Sequence, residues 1–144
     1  MFNESPERRL LVITDDEFFA EVIGTYMKRD RILIERVSSA EAAGREIAAG
    51  ADGVLVDLAK RAISGDAIMT LAGRAQRSKI PMIILSAQPR RQLTEFAAVV
   101  CATDVVSKTE TMTAIAARIR MVMRTPIRPH DDARPVEALE WALV

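Results

Sequence analysis

Short, unbroken apolar runs alternate along the chain with longer stretches whose apolar residues recur every three or four positions. Leu10-Leu11-Val12-Ile13-Thr14 predicts a strand buried on both faces, because its run is continuous rather than alternating. Residues 17–29 predict a helix, with Phe19, Val22, Ile23, Tyr26 and Met27 at helical spacing. Residues 31–37 predict a second strand, in which Ile32 and Ile34 alternate with charged neighbours as on a partly exposed edge. Ser38-Ser39-Ala40-Glu41 has the form of a capping box, with a glutamate three residues after a serine. The helix it opens runs to Ala49 and stops at Gly50.

The alternation continues. Val54-Leu55-Val56-Asp57 is a buried run ending in a carboxylate, and a polar loop leads from it to a helix over residues 64–77. Pro81 opens a fourth strand, Met82-Ile83-Ile84-Leu85-Ser86, at the end where a missing backbone donor is tolerated. Helix is expected over residues 90–99, a short strand over 104–107, and helix over 111–123 with Met112, Ile115, Ile119 and Val122 on one face. Five strands alternating with five helices imply right-handed crossovers and a parallel sheet covered on both sides. Beyond Arg124, Pro126, Pro129, Pro135 and His130-Asp131-Asp132 read as a linker. Residues 136–144 have room for two helical turns, too few to stand alone. The division is therefore an N-terminal extension (1–8), one domain (9–124) and a proline-containing tail (125–144) with a short C-terminal helix.

Composition removes several classes of function. With 20 basic and 20 acidic side chains in 144 residues, the chain lacks the basic excess of a nucleic-acid binder. Its longest apolar stretch, residues 96–102, is far below the roughly 20 residues of a membrane span, and the N-terminus lacks the apolar core of a secretory signal. A lone cysteine, Cys101, fits a reducing, cytoplasmic setting. A lone histidine, His130, excludes Ser-His-Asp triads and two-histidine zinc sites.

The informative polar residues gather at strand C-terminal ends, the edge where open parallel sheets bind ligands. Asp15 and Asp16 follow the first strand, Asp57 ends the third, Ser86 ends the fourth and Lys108 follows the fifth. In the order 2-1-3-4-5 the first and third strands are neighbours, so three carboxylates are expected to converge. Such a cluster repels itself unless a cation intervenes. Mg²⁺, a hard ion held by one or two carboxylates with water and phosphate oxygens, suits it. A nucleophilic carboxylate, a metal, an ammonium and a hydroxyl compose a phosphoryl-transfer site.

At this point residues 9–124 resemble the receiver domain of two-component response regulators, the flavodoxin-like family that includes chemotaxis receivers. The matching pieces are Val12-Ile13-Thr14-Asp15-Asp16-Glu17, Val54-Leu55-Val56-Asp57, Gly65, Ile83-Ile84-Leu85-Ser86-Ala87 and Ser107-Lys108. Asp57 to Ser86 is 29 residues and Ser86 to Lys108 is 22, spacings similar to the family's. The resemblance implies a flavodoxin-like (βα)5 three-layer sandwich in which Asp57 accepts a phosphoryl group from the phosphohistidine of a histidine kinase or histidine phosphotransfer protein. It implies Asp16 as a direct Mg²⁺ ligand, Asp15 as an acid acting through water, and Asp57 and the Ala59 backbone carbonyl as the remaining protein ligands. Ser86 would bond a phosphoryl oxygen and shift inward, Lys108 would pair with the phosphate, and the small Ala87 would let the group approach. Such a chain catalyses only its own phosphorylation and dephosphorylation. It would signal to a downstream protein through the fourth helix, fifth strand and fifth helix, with no nucleic acid or membrane partner and with homodimerisation left open.

Departures from that pattern matter too. Lys60 and Arg61 stand where a hydrophobic residue and proline are usual, and would either attract phosphate or fill the pocket. Thr109 replaces the proline after the lysine, which removes the reason for a cis peptide. Val105 replaces the aromatic switch residue, and Cys101 stands where glycine is common. A bland reading also exists for the acid pair, as caps of the first helix. The alternative function is a phosphorylation-independent, receiver-like interaction scaffold. A flavin carrier lacks its Ser/Thr/Gly-rich phosphate loop here, and a haloacid-dehalogenase-type phosphatase lacks its second acid, because Ala59 stands two residues after Asp57. The 20 residues after Arg124 are too few for an output domain.

Overall fold

The computed structural model describes residues 7–59 and 63–124. The tail reading over 125–144 and the roles weighed for Lys60 and Arg61 lie outside the described residues. Within them the elements alternate as β1 (Arg8–Ile13), α1 (Glu17–Lys28), β2 (Ile32–Val37), α2 (Ala40–Ala48), β3 (Gly53–Asp57), α3 (Gly65–Arg77), β4 (Met82–Ser86), α4 (Arg90–Val100), β5 (Asp104–Ser107) and α5 (Met112–Arg124). All strand pairs are parallel and the order is β2-β1-β3-β4-β5, as the alternation predicts.

Because strand side chains alternate faces, each buried run feeds two cores. Leu11, Ile13, Val54, Val56, Met82, Ile84 and Val105 pack under α2, α3 and α4. Leu10, Val12, Leu55, Ile83, Leu85 and Val106 pack under α1 and α5. β3 and β4 are buried along their whole length, while the edge strand β2 leaves Leu33 exposed. On α1 the buried stripe is Phe19, Ile23 and Met27, whereas Tyr26, expected among the apolar set, is exposed. Arg9 ties three elements together: its guanidinium donates to Glu35 on β2 and to Glu46 on α2. These bonds, Glu46's first, hold the guanidinium above its ordinary pKa.

Two local readings change. The capping box does not form on Ser38 and Glu41; Ser39 is the cap, and its hydroxyl accepts from the Ala42 amide. An aspartate or serine one residue either side of a helix start looks alike in sequence, and the backbone decides. The turn before β5 keeps the left-handed conformation expected of glycine although Cys101 occupies it, at φ 59°. Arg31 and Lys79 adopt the same conformation before β2 and β4, and Gly50 serves the equivalent turn before β3 at φ 105°. Cys101 is half-buried.

Candidate functional site

The C-terminal edge of the sheet carries a buried carboxylate with three donors on it. Asp57, 2% exposed, is the last residue of β3. Lys108 Nζ donates to its Oδ2 at 2.9 Å and Thr14 Oγ1 donates to the same oxygen at 2.7 Å. The Ala59 amide donates to Oδ1 at 2.9 Å. A carboxylate oxygen accepts about two hydrogen bonds. Oδ2 is thereby filled, while Oδ1 keeps a lone pair.

Strand register explains how Thr14 arrives there. Ile13 is paired with Val56 across β1 and β3, so the next residues outward, Thr14 and Asp57, come abreast. Thr14 is fully buried, its hydroxyl accepts from the Asp16 amide at 3.0 Å, and its carbonyl accepts from Arg36 Nε at 2.9 Å. Neither Thr14 nor Arg36 is assigned a role from sequence. The signal that marks Thr14 is a hydroxyl ending an otherwise apolar run, directly before two acids.

The expected convergence of three carboxylates is not what the fold delivers. Asp15 and Asp16 are exposed, and Asp16 Oδ1 accepts from the Phe19 amide at 2.9 Å as the N-cap of α1. Among the described residues no three histidine, cysteine or acidic side chains come close enough to hold a metal ion. The cap reading of the acid pair therefore holds for Asp16. Its cause is the position of the helix start: α1 begins one residue after Asp16, which turns that carboxylate toward the free amides of the first turn. The residues that would hold Mg²⁺ at this edge are Asp57, the Ala59 carbonyl and the exposed acids Asp15 and Asp16, directly or through water. That set, with at most two carboxylates needed, suits a hard ion that keeps most of its water.

Ser86 and Lys108 sit where the sequence puts them. Ser86 is buried at the end of β4; its hydroxyl accepts from the Gln88 amide at 3.2 Å, and its carbonyl accepts from the Lys108 amide at 2.8 Å. Ala87 beside it is exposed. Lys108 is one-quarter exposed, so its ammonium spans the boundary between the buried carboxylate and solvent. A second hydroxyl, Ser107, goes unassigned in sequence. Fully buried, it donates to the Gln88 carbonyl at 2.6 Å and lies 2.7 Å from the Thr109 hydroxyl. It joins the loop after β4 to the loop after β5. No peptide among the described residues is cis, as the loss of proline at Thr109 predicts, and Val105 is a buried core residue with no ring to rotate.

This is the fold of response regulator receiver domains, the class to which the motif resemblance pointed. The receiver domain of Francisella response regulator 1452 superposes with a TM-score of 0.67 at 21% identity, over 81% of this chain and 97% of that one. The non-phosphorylated HemR receiver domain from Leptospira biflexa gives 0.67 at 22% identity, over 85% and 98%. The BeF3-activated N-terminal receiver domain of Klebsiella pneumoniae RstA gives 0.65 at 22% identity, over 82% and 100%. No protein-family model and no curated protein matches the chain. No helix among the described residues is long and apolar enough to cross a membrane.

Proposed function

We propose that this chain is a phospho-accepting receiver module. Asp57 would take a phosphoryl group from the phosphohistidine of a histidine kinase or phosphotransfer protein, and the acyl phosphate would later be hydrolysed. The observation that carries the reading is the asymmetry of the Asp57 carboxylate, with Oδ2 saturated by Lys108 and Thr14 and a lone pair open on Oδ1. In-line attack needs a positioned oxygen and cations around the phosphoryl oxygens. Oδ1 is the attacking atom on this reading. Lys108 then moves from the carboxylate to the incoming phosphoryl oxygens, and the Ser86 hydroxyl turns from the Gln88 amide toward them. Mg²⁺, held by Asp57 through the oxygen that Lys108 leaves, by Asp15 and Asp16 directly or through water, and by the Ala59 carbonyl, would supply charge neutralisation. The chain would act in the cytoplasm and catalyse only its own phosphorylation and dephosphorylation.

The output surface we infer is α4, β5 and α5. Asp104 spans it, with Oδ1 3.1 Å from Arg90 on α4 and Oδ2 3.1 Å from Arg118 on α5. The Ser107 hydroxyl connects that face to the Ser86 loop through Gln88. A ligand shifts such a surface only if it binds the two arrangements unequally. Ser86 and Lys108 provide the inequality, since both change partner when Asp57 is modified.

A scaffold that never accepts phosphate is the second reading, favoured by the two donors already seated on Oδ2 and by the cap role of Asp16. Intact mass after incubation with a small phosphodonor and Mg²⁺ separates them. The receiver reading expects one added phosphoryl group that Asp57→Asn abolishes. A protein whose mass does not change with donor, and which takes up no beryllofluoride, is the scaffold.

A further inference from the structure

Thr14 meets the Asp57 carboxylate with a neutral hydroxyl. A site with three clustered carboxylates needs a cation to hold it together. Here the residue abreast of Asp57 is a neutral hydroxyl, so one buried carboxylate faces one ammonium and the pair balances without a metal. The Thr14 proton is committed to Asp57 Oδ2, the place where a second acid would add negative charge. Its hydroxyl and carbonyl are fixed in turn by the Asp16 amide and by Arg36, so the hydroxyl is held in place rather than swinging clear.

We propose that Thr14 is a positioning residue that keeps the free protein's affinity for divalent cations low, so that the metal is taken up chiefly when a phosphoryl group brings further charge. The inference rests on the receiver reading only in assigning Mg²⁺ to this edge. It concerns binding of the ion to the unmodified chain and is read without any phosphoryl transfer.

The test is a Mg²⁺ titration of the full chain followed by the backbone amide resonances of Ala59 and Lys108, in wild type, Thr14→Ser and Thr14→Asp. Wild type and Thr14→Ser are expected to bind alike and weakly. Thr14→Asp adds a charge within a few ångströms of the ion and is expected to bind roughly tenfold or more tightly. Mg²⁺ should also raise its thermal midpoint more than that of wild type. Equal affinity in folded wild type and Thr14→Asp overturns the proposal. Should the aspartate variant not fold, Thr14→Val decides: it frees a lone pair on Oδ2, and severalfold tighter Mg²⁺ binding supports the inference while unchanged or weaker binding overturns it. The phosphodonor mass measurement, run on the same wild-type sample, reports separately on the receiver reading. A chain that accepts phosphate yet binds Mg²⁺ no differently from Thr14→Asp refutes this inference and leaves that reading standing.

Discussion

Lys108 Nζ lies 2.9 Å from Asp57 Oδ2, the one ion pair in which a nearly inaccessible carboxylate meets a lysine one-quarter open to solvent among the described residues. The two partners are therefore not equivalent. Removing the lysine strands a buried charge, whereas neutralising the aspartate leaves an ammonium that solvent can reach. Lys108→Met is expected to destabilise the domain by about 2 kcal/mol and Asp57→Asn by under about 1 kcal/mol. The double variant should recover part of the lysine loss. Urea unfolding of the four proteins in a double-mutant cycle measures this, and equal losses for both single variants would contradict it.

Ser107 joins two loops through one hydroxyl, donating to Gln88 and meeting Thr109. Ser107→Ala leaves the Gln88 carbonyl without that partner and is expected to cost about 1–3 kcal/mol. The local signature is sharper than the global one. Amide hydrogen exchange should quicken at residues 87–90 and 108–110 while the β1 and β3 amides stay protected. Uniform loss of protection would mean that the hydroxyl merely supports the core.

The four turns that lead from helix to strand share a left-handed residue, yet only one uses glycine. A side chain there costs about 1–2 kcal/mol, partly offset by the extra freedom glycine has in the unfolded chain. Lys79→Gly is thus expected to stabilise the domain by up to about 1 kcal/mol, and Gly50→Ala to destabilise it by a similar amount. Shifts in urea midpoint at constant slope are the readout.

Arg9 gives a prediction in pH. Its bonds to Glu46 and Glu35 raise its pKa above the ordinary guanidinium value. A raised cation contributes stability that is complete below its unfolded pKa and lost only as pH climbs through the folded one, well into strong alkali. Arg9→Ala should therefore lower stability by about 1 kcal/mol or less, given how exposed the partners are, and by the same amount at about pH 7 and about pH 10. A penalty that vanishes at the higher pH would show that the network is not held by the arginine charge.

Much of the fold was readable because β1, β3 and β4 are unbroken apolar runs, and only a doubly covered parallel strand tolerates such a run. Asp57, Ser86 and Lys108 followed as the polar residues ending or following those runs. Asp16 was harder. An acid pair after a strand reads equally as ligands or as a cap, and the exact start of α1 gives one of the two the cap bond. Thr14 and Ser107 escaped for a related reason: a hydroxyl at a strand end is common, and its partner lies 43 residues away in one case and 19 in the other. Tyr26 failed in the opposite sense, since helical spacing marks a face but not how far the neighbouring elements extend over it.

On the receiver reading Asp57 is the phosphoryl acceptor. Borohydride reduces an aspartyl phosphate to homoserine, so the chain can be incubated with a small phosphodonor and Mg²⁺, reduced, digested and mapped by mass. Homoserine is expected at position 57 in wild type and at no position in Asp57→Asn. Unreduced aspartate at 57 after donor treatment, or homoserine at Asp15 or Asp16 instead, would contradict it.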